Sequence, residues 1–171
     1  MLRKRTKRRH STPLGRRARR HRARAKARAG LSAGARVHLR RASSYPIEGC
    51  WIQEGWEEDG PAHVVVARSQ PDGDLVYAYF YIDCRGAGIE DTSVHGNVSD
   101  DTFHGEHLPD LLGTEPQEIS PALAHEMVYG AISLAENLGS SPHREYAHSR
   151  YLLDPPDAYP PSGRVSFGRD N

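Results

Sequence analysis

The stretches that decide the fold are His63–Arg68 (HVVVAR), Gln70–Asp74 (QPDGD) and Leu75–Asp83 (LVYAYFYID). The outer two are rich in β-branched and aromatic residues, which suit a pleated, half-buried surface. The middle one has turn chemistry: Pro71 presets φ and Gly73 accepts a positive φ. Together they predict a β-hairpin. On its second strand Tyr77, Tyr79 and Tyr81 share one face, and Val76, Ala78, Phe80 and Ile82 share the other. One face is expected to pack on a helix and the other to be half exposed.

Outward from the hairpin, Ile47–Gln53 reads as a preceding strand and Glu54–Pro61 (EGWEEDGP) as a loop. Downstream, Cys84–Gly88 reads as a glycine-bearing loop and Val94–Val98 as a short edge strand. Ser99 has the chemistry of a helix start for Asp100–Leu108, with Pro109 expected to interrupt or kink it. Ser120-Pro121 is a stronger start, an N-cap serine followed by proline at the first helical position. That helix is expected to run to Leu138 and stop at Gly139, with Leu123, Met127, Ala131, Leu134 and Leu138 as its apolar stripe. Ser141-Pro142 repeats the signal and predicts a second helix over His143–Leu153. The order implies an α+β domain: a small antiparallel sheet built on the hairpin and covered on one side by a C-terminal helical hairpin. A Pro-rich tail, Asp154–Asn171, follows as a loose end, with Val165–Phe167 able to add an edge strand.

Charge divides the chain more sharply than hydropathy does. The formal net charge of +1 over 171 residues averages two opposite segments. Met1–Arg41 holds 17 Lys and Arg and no Asp or Glu, so the remaining 130 residues carry 6 basic and 22 acidic groups, a net of −16. The arm's cations are Arg3, Lys4, Arg5, Lys7, Arg8, Arg9, Arg16, Arg17, Arg19, Arg20, Arg22, Arg24, Lys26, Arg28, Arg36, Arg40 and Arg41. Its few large apolar residues cannot offset the entropy of ordering, so it is expected to be disordered when free. Thr12–Gly15 separates two basic clusters, and the second, Arg16–Ala29, mixes Ala with Arg and Lys, the best helix formers. Phosphate would neutralise the mutual repulsion that opposes a helix there. Ala42–Pro46 reads as a polar hinge between arm (1–41) and domain (47–153).

Such an acid-free run is expected to bind nucleic acid phosphates, and Arg exceeds Lys in it by 14 to 3. Arginine binds phosphate bidentately and stacks on exposed bases, which irregular RNA offers more than duplex does. The arm has no aromatic residue, which argues against sequence reading. The leading expectation is therefore an RNA-binding protein, ribosomal or ribosome-associated, with rRNA as partner, a protein neighbour for the acidic domain and a cytoplasmic location. A DNA-associated accessory protein using the same arm is the first alternative. A mitochondrial transit peptide is disfavoured because cations occur on every side of any helix drawn through Arg16–Ala29.

Other classes have weaker support. No stretch approaches a membrane-spanning length of apolar residues, and the N-terminus lacks a secretory apolar core. Cys50 and Cys84 form no CxxC pair and read as two reduced, partly buried thiols. His104 and His107, with Glu106 between, lack the glutamate of HExxH and a third ligand, so no metal is expected. Gly86 and Gly88 lack the spacing of a phosphate loop, and no cofactor motif is present. His125 reads as a core-edge residue, His143 as part of a helix start, and His148 with Glu145 as a surface pair. An enzyme remains the second alternative, with a site in the hairpin–helix cleft using His95, His104 or His125; Cys84 near His95 lacks an activating group.

The segment from Pro46 to about Leu153 also resembles a family of uncharacterised bacterial α+β domains. The features carrying the resemblance are the hairpin around PDG, ISPALAHEMVYGAISLAENLG and PHREYAHSRYLL. Arg85-Gly-Ala-Gly and Ser140-Ser141 depart from that pattern. The resemblance implies the α+β fold and carries no activity or site residue. The arm is similar in composition to the basic extensions of ribosomal proteins, which thread into rRNA.

Overall fold

The computed structural model describes residues 39–59 and 61–168. Most of the arm therefore lies outside the described residues. The described part is an α+β domain with a five-stranded antiparallel sheet in the order β4-β3-β2-β1-β5. The strands are β1 (Ile47–Ile52), β2 (Pro61–Ser69), β3 (Leu75–Asp83), β4 (Gly88–Val98) and β5 (Gln117–Ile119). The first four form a meander, and β5 adds to the open side of β1. The PDG hairpin is present with unbroken register from Ser69↔Leu75 to Pro61↔Asp83.

Alternation along the strands makes two apolar faces, and both are covered. One buries Cys50, Ile52, Val64, Val66, Ala78, Phe80 and Ile82, with Leu123, Met127, Val128, Ala131 and Ala135 supplying the stripe of the long helix α4 (Pro121–Asn137). Ser120 caps α4, its Oγ accepting from the Leu123 N–H at 3.2 Å. The other face buries Trp51, Val65, Ala67, Leu75, Tyr77 and Tyr79 against Phe103, Leu108, Leu111 and Leu112. One-sided cover is thus corrected: residues 100–112 roof the second face.

Pro109 does not interrupt that roof. It comprises α2 (Asp100–Thr102), a π turn (Phe103–His107) and α3 (Leu108–Leu112), preceded by the one-turn α1 (Trp56–Asp59) earlier in the chain. The Leu108 N–H bonds back five residues to the Phe103 carbonyl. Pro109 then falls in the first turn of α3, where a missing N–H costs little. The roof ends at Gly113, with φ 104°.

Four other expectations change. β4 spans Gly88–Val98, not just Val94–Val98, because it pairs along nearly all of β3. The second C-terminal helix is short: α5 (Tyr146–Ser149) passes into a 3-10 turn, Arg150–Leu152. That winding puts Ser149 and Leu152, both fully buried, on one side. The hinge is no hinge, since Ala42–Ser44 forms a 3-10 turn with Leu39 and Ala42 buried. The tail is not a strand, and it is tied down. Phe167 covers Gly130, the Gly168 N–H donates to the Cys84 carbonyl at 2.9 Å, and Glu126 accepts from the Ser162 and Gly163 N–H groups.

Gly88 marks a close approach of α4 to the sheet. A Cβ there would lie 2.5 Å from the Ala131 carbonyl oxygen, and φ is +75°. Gly73 has φ +91° but open space around it. Gly73→Ala should therefore cost about 1 kcal/mol and Gly88→Ala about 3 kcal/mol or more, read from urea unfolding midpoints. Equal losses would mean the helix does not press on β4 there.

Candidate functional site

Two polar clusters sit on opposite faces of the sheet. The first surrounds Arg68 near the end of β2. Arg68 is 2 % exposed. Nε donates to the Leu152 carbonyl at 2.8 Å, Nη1 to the Tyr45 carbonyl at 2.6 Å and Nη2 to Asp154 Oδ1 at 2.7 Å. Asp154 is itself a hub. Its other carboxylate oxygen accepts from the Tyr159 hydroxyl at 2.7 Å, and its backbone carbonyl accepts from Tyr129 at 2.6 Å. Partial burial pulls the Asp154 carboxyl upward, but the Tyr159 and Arg68 hydrogen bonds and the Arg68 charge outweigh it and hold the group below its ordinary 3.8.

His125 on α4 belongs to this cluster, and its partners fix its protonation. Nδ1 faces the Pro121 carbonyl at 2.6 Å, so it must carry the proton. Nε2 accepts from the Asp154 N–H at 2.8 Å, so it must be bare. The carboxylate of Asp154 lies 3.9 Å from that nitrogen, too far to take over the bond. Burial holds the ring's pKa below its ordinary 6.5. Both nitrogens are committed, so His125 is a structural strut with no capacity to act as a base. Burial also pushes the Cys50 and Cys84 thiols up, to about 12 and about 11, far from a thiolate nucleophile.

The second cluster lies on the face roofed by residues 100–112. Register brings Tyr77 opposite His95, Tyr79 opposite Ser93, Tyr81 opposite Asp91 and His63 opposite Tyr81. Tyr77 stacks on His95 with ring centroids 4.9 Å apart, and its hydroxyl shares a 2.8 Å hydrogen bond with His107 Nδ1. His63 Nδ1 shares a 2.6 Å bond with the Tyr79 hydroxyl, and Ser93 Oγ lies 3.1 Å from His95 Nε2. Burial, then the charge of Asp91, raise the Tyr79 hydroxyl well above its ordinary 10, so it stays protonated. Tyr77 and Tyr79 are buried, while His63, Tyr81, Asp91, Ser93, His95 and His107 are half-buried. The arrangement is a network of ring stacking and neutral hydrogen bonds among these side chains.

The histidines singled out in the sequence thus separate. His95 and His107 meet, with ring centroids 6.3 Å apart. His104 points elsewhere, edge-on to Trp51 and 3.4 Å from Asp100. His125 is on the opposite face. His63 and Asp91 were missed, because only cross-strand register places them beside the tyrosine row. His143 accepts from the Glu145 N–H at 3.4 Å, and His148 lies 3.3 Å from the Glu145 carboxylate. Among the described residues no group of three His, Cys, Asp or Glu could hold a metal ion, and no helix is long and apolar enough to cross a membrane.

Of the arm's cations, Arg3 to Arg36 lie outside the described residues. Arg40 and Arg41 are described and exposed, flanked by buried Leu39 and Ala42. Comparison with protein-family models, curated proteins and solved structures returned no match.

Removing one partner of a buried ion pair strands the other, so Arg68→Ala should cost about 3–5 kcal/mol. The acid limb of stability carries a second signature. The His125 ring has a lower pKa folded than unfolded, so its contribution is complete above 6.5 and is lost as pH falls through the native value. Asp154, also depressed, adds a further loss below 3.8. Chemical unfolding from pH 7.5 to 5 should show stability falling in the native chain, with a shallower fall in His125→Asn. Parallel curves would remove His125 from the account.

Proposed function

We propose that this protein binds RNA through its N-terminal arm, with rRNA in a ribosomal or ribosome-associated particle as the target. The observation that carries the reading is charge segregation: 17 cations and no carboxylate through Arg41, then 22 carboxylates against 6 cations. Each arginine that meets a phosphate releases a condensed counterion, and the guanidinium fork can take two phosphate oxygens at once. With no aromatic ring in the arm, recognition is of shape and phosphate, not of base sequence. The acidic domain repels the same phosphates, so it belongs at the particle's periphery beside a protein neighbour. A cytoplasmic location goes with this reading.

The ordered root supports an arm with a defined point of departure. Leu39 and Ala42 are buried in the domain, and the Arg68 guanidinium holds the Tyr45 carbonyl immediately after the 3-10 turn. Phosphate contacts close to the root, at exposed Arg40 and Arg41, would set the domain's standing relative to the RNA.

Because Leu39 belongs to the core, the informative truncation removes Met1–His38. It should abolish co-sedimentation with ribosomal particles at low salt while leaving the domain folded. Replacing Arg3, Arg5, Arg8 and Arg9 by Gln should flatten the log–log salt slope by about 0.7–0.9 for each lost contact. Undiminished association of the truncated chain would refute the reading. Tighter binding to duplex DNA than to rRNA at equal salt would transfer the same chemistry to a DNA-associated role.

A further inference from the structure

Six cations follow Arg41 in the chain: Arg68, Arg85, Arg144, Arg150, Arg164 and Arg169, the last outside the described residues. Arg68, Arg144 and Arg164 are ion-paired with Asp154, Glu145 and Glu57. Arg85 and Arg150 are exposed, and among the described residues no carboxylate pairs with either. The same holds for Arg40 and Arg41.

The fold brings three of these four arginines to one end of the domain. Arg41 precedes the 3-10 turn Ala42–Ser44, and Arg150 opens the 3-10 turn Arg150–Leu152. The two turns lie side by side although they are far apart in sequence. Arg68 fastens both, donating to the Tyr45 carbonyl at 2.6 Å and to the Leu152 carbonyl at 2.8 Å. The Arg41 carbonyl accepts from the Ser44 N–H at 2.9 Å, and the Arg150 carbonyl from the Leu153 N–H at 3.1 Å. Both backbones are therefore held. Ala42 and Leu152 are fully buried, while Arg40, Arg41 and Arg150 reach solvent. Glu145 and Asp154, the carboxylates nearest Arg150 in sequence, are engaged by Arg144 and Arg68. A small cationic spot thus stands on a domain whose net charge is −16.

Phosphate is the ligand such a spot selects, because a weakly hydrated guanidinium fork takes its oxygens in pairs. Held backbones reduce the ordering entropy lost on binding. The spot is continuous with the basic run that ends at Arg41, so phosphates met by Arg40 and Arg41 come beside Arg150. We infer that Arg150 binds RNA phosphate, completing with Arg40 and Arg41 a grip on the domain itself at the root of the arm. This contact rests on the RNA reading above and adds to it a residue outside the arm. It also orients the domain. The end of the sheet at Ser69 and Leu75 faces the RNA, and the turn between Asp83 and Gly88, which bears Arg85, faces away.

The test measures binding of the full-length chain to a fluorescent oligouridylate across a range of salt. Arg150→Gln should weaken binding about fourfold at physiological salt and flatten the log–log slope by about 0.7, as expected for one lost single-strand phosphate contact. Arg150→Lys should retain most of both, since an ammonium also releases a counterion. Arg85→Gln removes the same charge from the opposite end and should change neither. In Nε–Hε spectra the Arg41 and Arg150 resonances should shift on adding RNA while that of Arg85 stays, with amide spectra verifying that each variant is folded. Equal weakening by Arg150→Gln and Arg85→Gln would overturn the site as diffuse electrostatics. A chain that loses RNA binding on removal of Met1–His38, yet is indifferent to Arg150→Gln, would overturn this inference alone. No RNA binding by the native chain would overturn both readings. Attachment to phosphatidylglycerol vesicles that depends on Arg150, with no such dependence for RNA, would reassign the spot to a membrane surface and overturn it as an RNA contact.

Discussion

An arginine only 2 % exposed must have its donors satisfied, and much of the domain's assembly follows from how Arg68 meets that requirement. Its acceptors come from two widely separated parts of the chain: the Ser43 and Tyr45 carbonyls in one, the Leu152 carbonyl and the Asp154 carboxylate in the other. The last of these organises Tyr129, Tyr159 and His125 in turn. A central-strand residue thus fixes the root of the arm, the end of the helical region and the start of the tail. An apolar residue at position 68 would leave those segments without a common anchor.

The hairpin was legible because its signals are local. Alternation in Leu75–Asp83 and the turn residues Pro71 and Gly73 need no information from elsewhere, and neither does the Ser120-Pro121 helix start. What escaped depends on distant partners. β5 is three residues long and exists only because β1 has an open side. The N-terminal half of β4 reads as polar loop until β3 lies alongside. The second apolar face was half-anticipated, since a tyrosine row suggests partial exposure; Phe103, Leu108, Leu111 and Leu112 instead cover most of it. Ala42–Pro46 has the composition of a linker, and it is ordered by distant partners: Arg68 takes its carbonyls, the Ser69 N–H bonds Pro46, and Ala42 is buried.

Site chemistry divided along the same line. His95 was visible as a candidate, and its stack on Tyr77 follows from the register of β3 and β4. His63 was hidden at the start of an apolar run, and Asp91 in the stretch between the Cys84–Gly88 loop and the Val94–Val98 strand, to which no element was assigned. Neither has a local motif, and each gains meaning only from facing Tyr81. His125 shows the converse. It reads as a core-edge residue from its place beside an apolar stripe, and a carbonyl on one nitrogen and an N–H on the other hold it there, chemically idle. The arm's charge is read from composition alone, and the function proposed for it needs charge density and not a fold.

The convergence on Arg68 has a mechanical meaning as well. Residues 39–46 join the basic arm to the domain along the chain, so a pull on the arm loads them directly. It is resisted there by the Arg68 bonds to the Ser43 and Tyr45 carbonyls and by the Ser69 N–H bond to the Pro46 carbonyl. Those bonds load the central strand β2, whose two neighbours, β1 and β3, distribute the force across the sheet. The tether is thus fastened to the frame of the domain and not to a peripheral loop, an arrangement that resists peeling when an arm is gripped by a much larger particle.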